Sequence, residues 1–148
     1  EWFRKHNWNV QIEVVKTDLF KNEPGLGMIK QNMGEFDIAV SSRERAMLEF
    51  LYRLRADSDG GEAVHLMENL TTLRPVIVQR LLETCSSVKA KRLFMVLARL
   101  ADHSWLRKLD ASGIDFGKGK RMFAHGGFLD REYQITIPYA WKTTEGVF

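Results

Sequence analysis

Six consecutive apolar residues, Leu93 to Ala98 (LFMVLA), follow Ser87 by about a turn and a half of helix. Ser87 suits an N-cap, because its hydroxyl can accept a free backbone N–H of the first turn. A helix carrying such a run is apolar on every side and must be covered on every side. The reading therefore puts a helix after Ser87 at the centre of the fold, with Leu93, Val96, Leu97 and Leu100 in the core. The run is far too short to span a bilayer, which needs about 20 residues.

The same region carries the charge of the chain. Ser87 to Arg121 holds nine Lys/Arg (Lys89, Lys91, Arg92, Arg99, Arg107, Lys108, Lys118, Lys120, Arg121) against Asp102, Asp110 and Asp115. The rest is net acidic, so the overall charge of +3 hides a polarised molecule. Polarity of this kind points to an acidic or anionic partner more than to a catalytic pocket. Lys89, Lys91 and Arg92 fall in the first turns of the helix, where its dipole disfavours a cation by roughly 0.3–1 kcal/mol. Something other than helix stability is expected to keep them there.

With 148 residues and 45% hydrophobic content the chain can bury a core as one globular domain, residues 1–148. The opening EWFRKHNWNV has no apolar stretch of signal-peptide type and no initiator Met, so the chain is expected to be a fragment with a further domain upstream. The single Cys85 fits a reducing compartment, and the cytoplasm is the expected location. Cys85 falls in phase with Ile77, Val78, Leu81 and Leu82, which predicts a buried helical thiol.

Asn9 to Val15 alternates around Val10, Ile12 and Val14, and Glu35 to Val40 puts Phe36, Ile38 and Val40 on one face; both read as strands. Glu23-Pro24-Gly25 is turn chemistry, and Met28 to Gln31 is a short strand. Ser41 with Glu44 has capping-box spacing before a helix with the stripe Met47, Phe50, Leu51 and Leu54. Asp57 to Gly61 breaks it. A second helix uses Ala63, Leu66, Met67 and Leu70, and a third begins near Thr72 and Pro75. Ser104 caps a short fifth helix with Trp105, Leu106 and Leu109. A glycine-punctuated loop, Gly113 to Gly119, leads to strands at Lys120–Ala124 and Tyr133–Ile137, with a turn at Gly126-Gly127. The predicted class is α+β, with a mostly antiparallel sheet from the N- and C-terminal strands packed against about five central helices.

Catalytic and metal signals are weak. Gly113-Ile-Asp-Phe-Gly117-Lys118-Gly119 lacks the spacing and the Ser/Thr of a phosphate loop, though its free N–H groups and cations could still hold a phosphate or carboxylate. His6, His65, His103, His125 and Cys85 never reach zinc-site spacing, and no metal or cofactor is expected. Asp102-His103-Ser104 resembles a triad in composition only. Asp115 with Glu132-Tyr133-Gln134 has Gln where a metal-dependent nuclease of the restriction type needs Lys, leaving a degenerate nuclease as an outside reading. The early aromatics Trp2, Phe3, Trp8 and Phe20 read as sheet packing rather than as a base-stacking platform.

Five strings together resemble the C-terminal domain of AbiEi antitoxins: Val40–Glu49 (VSSRERAMLE), Leu73-Arg-Pro75, Ser86–Phe94 (SSVKAKRLF), Ile114–Arg121 (IDFGKGKR) and Tyr133–Pro138 (YQITIP). The likeness runs from about Trp2 to Pro138. It implies a non-enzymatic antitoxin and transcriptional regulator of a bacterial type IV toxin–antitoxin system, linked to abortive infection by phage. In that family an N-terminal winged helix-turn-helix represses the operon by binding operator DNA, and the C-terminal domain opposes the nucleotidyltransferase toxin AbiEii without requiring a stable complex. The basic residues Lys89, Lys91, Arg92, Lys118, Lys120 and Arg121 match the family strings and form the expected partner- or phosphate-binding patch. A nucleic-acid-binding module that contacts phosphate through this patch is the alternative.

Overall fold

The computed structural model describes residues 5–56 and 60–142. Expectations that rest on Trp2, Phe3 and Asp57 to Asp59 lie outside those residues. The elements run β1 (Met28–Asn32), β2 (Asp37–Ser41), α1 (Arg43–Arg53), α2 (Gly60–Asn69), α3 (Pro75–Thr84) and α4 (Val88–Leu100). Two 3₁₀ turns follow (Ser104–Lys108 and Ala111–Gly113), then β3 (Arg121–Met122), β4 (Phe128–Asp130), β5 (Ile135–Ile137) and α5 (Tyr139–Lys142). The α+β class holds.

Helix α4 is the axis of the domain. The Ser87 hydroxyl accepts from the Ala90 N–H at 3.1 Å, the cap expected from the sequence. Every residue from Ala90 to Ala98 is buried, and α4 packs against α1, α2 and β5. Leu93, Val96 and Leu97 are in the core, whereas Leu100 is half-buried at the C-terminal end.

The other helices pack around it with two shifts of phase. In α1, Met47, Leu48 and Leu51 are buried and Phe50 lies at the edge. Its N-cap is Ser42, whose hydroxyl faces the Arg45 N–H at 3.5 Å. Ser41 instead donates to the Glu49 carboxylate. In α2, Ala63, Val64 and Met67 face inward and Leu66 is 40% exposed, because the helix turns its Val64 side to the core. Helix α3 starts with Pro75 at its first position, after Arg74, and ends at Cys85, whose thiol is buried. The fifth expected helix is a 3₁₀ turn preceded by His103; Ser104 makes no side-chain cap.

The strands fall into two sheets. β1 and β2 form an antiparallel ribbon, with Met28 opposite Ser41 and Asn32 opposite Asp37. Phe36 precedes the ribbon's second strand and is 61% exposed, and Ile38 is 39% exposed, so this face does not join the core. In the second sheet β5 is central, parallel to β3 and antiparallel to β4. The expected strand at Asn9 to Val15 does not form: the segment is irregular and exposed, and it pairs with no strand among the described residues. Its Glu13 carboxylate is paired with Arg53 at the end of α1. Of the early aromatics that are described, Phe20 is buried and Trp8 is 37% exposed.

Candidate partner-binding site

Two of the cations at the start of α4, Lys89 and Arg92, have structural tasks. Lys89 Nζ donates to the carbonyls of Tyr52 at 2.7 Å and Leu54 at 3.0 Å. These lie at the C-terminal end of α1, where carbonyls lack helical partners and a cation is favoured. The charge disfavoured by the dipole of α4 is thus favoured by that of α1. Burial lowers the Lys89 pKa. Lys91 is 4% exposed and lies near Cys85. Burial pushes the Cys85 thiol up, and a backbone hydrogen bond at Ser87 and the Lys91 charge oppose that rise.

Arg92 is 2% exposed and ties three backbone segments together. Its Nε donates to the Phe116 carbonyl at 2.9 Å, and its Nη1 donates to those of Gly119 at 2.7 Å and Gln134 at 2.9 Å. Burial, and then the charge of Arg121, lower its pKa. Gln134 needs the help: its φ of +52° is in the left-handed region, where a side chain is strained. The glycine loop is pressed against the same helix. A Cβ on Gly117, whose φ is +68°, would come within 3.0 Å of Val88 Cγ2. Asp115 accepts from the Gly117 N–H at 2.8 Å, closing the turn.

Two family-like strings thirty residues apart are also joined. Glu44 is 2% exposed and accepts three bonds from Arg74. Nothing in the local pattern of either string signals this pair.

Of the six cations singled out from the sequence, Lys118, Lys120 and Arg121 are exposed, Lys89 is half-buried, and Lys91 and Arg92 are turned inward. The two strings meet, as Arg92 and Gly119 show. What they present outward is the loop's cations.

Other candidates for chemistry have ordinary partners. Glu132 and Asp130 both pair with Arg99. Burial, and then the Glu132 charge, push the Tyr133 hydroxyl up to about 12. His103 stacks on Trp105 and donates from Nε2 to the Met67 carbonyl, so it does not approach Ser104 as a base. His65 is exposed beside Glu68. Among the described residues no group of three or more His, Cys, Asp or Glu could hold a metal ion, and no helix is long and apolar enough to cross a membrane.

The fold and the site together define an α+β domain built on one central helix that locks a cationic loop to its flank. Residues 1–138 match the family described as transcriptional regulator, AbiEi antitoxin, type IV TA system, and the chain belongs to that family. No curated protein and no solved structure matches it significantly.

Proposed function

We propose that this domain is the part of the regulator that opposes a nucleotidyltransferase toxin of the AbiEii type in the cytoplasm, and that it does so by binding rather than by catalysis. The observation that carries the reading is the set of exposed cations, Lys118 and Lys120 on a loop held from beneath by Arg92, and Arg121 at the start of β3. A rigid loop presents charge to a partner with little ordering entropy left to lose. Arg92 supports that loop from inside, while Lys89 holds the end of α1 and Lys91 is buried near Cys85.

Reversing Lys118, Lys120 and Arg121 together to Glu is expected to abolish neutralisation of the toxin in cells while circular dichroism remains that of the parent. Full neutralisation by the triple variant would remove the loop from the contact. A second reading, phosphate contact with operator DNA in the longer protein, rests on the same cations. It predicts affinity for DNA that falls with salt by a slope of about −0.9 per phosphate contact. The triple variant would then flatten the slope and leave toxin neutralisation untouched.

A further inference from the structure

The fold does not neutralise the charge of Arg92. All three of its hydrogen bonds go to backbone carbonyls, and no carboxylate pairs with it among the described residues. Buried cations are ordinarily paired, because an unpaired charge out of water is costly. The bonds engage Nε and Nη1, and Nη2 donates to nothing among the described residues. Since no fully enclosed polar side-chain atom there lacks a partner, Nη2 is not sealed in. Arg92 lines a cavity of about 460 Å³ with Ala111, Phe116, Gly119, Glu132 and Tyr133, and Nη2 is the donor it has left to offer there.

The walls set the ligand. Glu132 is the acid in the lining and is already paired with Arg99. Arg121 is close by: its backbone N–H donates to the same Gln134 carbonyl that Arg92 Nη1 uses. Arg121 lies outside the lining, but its charge is felt at Arg92, and two positive charges match a dianion better than a single carboxylate. Phe116 and Tyr133 meet edge to face at 5.4 Å and give the cavity an apolar side. A volume of this size is in the range of small-molecule sites, roughly 300–1,000 Å³.

We propose that this cavity binds a phosphate group, free or carried by a small phosphoester, with one oxygen on Arg92 Nη2 and the nearby Arg121 charge adding to the attraction. The site is independent of the partner-binding reading, and either can fail without the other.

The test is isothermal titration of the whole chain with sodium phosphate and, separately, with adenosine 5′-monophosphate, each against sodium chloride of equal ionic strength. Saturable binding absent with chloride is expected. Tighter binding of the nucleotide marks a phosphoester as the ligand, and equal binding marks the free ion. Ala111→Glu, on the exposed wall, places a resident carboxylate in the cavity and should weaken binding at least tenfold. Arg92→Lys, which keeps the charge and loses the fork, should do the same. Lys108→Gln, a surface cation elsewhere, should leave binding unchanged. If Arg92→Lys fails to fold, Ala111→Glu still decides. Undiminished binding by Ala111→Glu, or the same response to chloride, overturns the site.

Discussion

Glu44, near the start of α1, accepts three hydrogen bonds from Arg74, thirty residues further along: from the backbone N–H at 3.1 Å, Nε at 3.0 Å and Nη2 at 3.1 Å. The pair holds the lead-in of α3 against α1. It also supplies the one backbone donor before Pro75 with a charged acceptor, which is stronger than a neutral one.

This pair makes stability pH-dependent. Burial alone would raise the Glu44 pKa, but the bonds from Arg74, with smaller help from its own backbone N–H and the Ser42 hydroxyl, together outweigh it and bring it to about 2. A depressed carboxylate stabilises the fold above its unfolded pKa, about 4.3, and that stability is lost as pH falls through the folded value. Unfolding free energy should therefore drop by about 1–3 kcal/mol between roughly pH 4.5 and 2, the lower end reflecting the half-exposed Arg74 side chain. Denaturant titrations across that window should show a flatter profile for Glu44→Gln. An identical profile would assign the acid sensitivity to other carboxylates.

Leu97 lies at the centre of α4 and is 1% exposed. Leu97→Ala should cost about 2–5 kcal/mol, the range for large-to-small core changes. A thermal melt that matches the parent would displace α4 from its central position.

Gly127 has no room for a side chain. A Cβ there would stand 2.1 Å from the Ile137 carbonyl oxygen, on the strand that organises the second sheet. Gly127→Ala must push β5 away or unseat its turn, at a cost on the order of 1–3 kcal/mol. Gly25, with nothing within 4 Å of its missing Cβ, is the control, and Gly25→Ala should melt near the parent.

Lys89 separates support from contact. Lys89→Met removes two bonds to the end of α1 and should destabilise by about 1–3 kcal/mol. If its role is structural, toxin neutralisation should persist wherever the variant remains folded, as measured by growth rescue beside soluble protein level. Lost neutralisation in a fully folded variant would place Lys89 in the contact surface.

Much of the fold was legible because it depends on local pattern. The LFMVLA run demanded a central helix, Ser87 marked its start, and Pro75 marked the start of α3; each follows from periodicity or capping within a few residues. Strand readings fared unevenly for a physical reason. Alternation states only that a segment could lie on a sheet, and Val10, Ile12 and Val14 alternate without finding an edge, whereas Ile135 and Ile137 sit between two strands. The charge imbalance from Ser87 to Arg121, and the family likeness it shares, were likewise properties of the sequence alone.

The division of labour among those charges was decided only by tertiary structure. Lys89, Lys91 and Arg92 look equivalent to Lys118, Lys120 and Arg121 when counted. The partners that distinguish Lys89 and Arg92 are carbonyls 24 to 42 residues away, as for Arg92 with Phe116 and Gln134. A backbone carbonyl has no residue identity, so no sequence pattern announces that it will accept a guanidinium. Folding brings the end of α1, the glycine loop and the left-handed Gln134 around the first turns of α4, and only then do Lys91 and Arg92 turn inward and Lys89 become half-buried while Lys118, Lys120 and Arg121 stay on the surface.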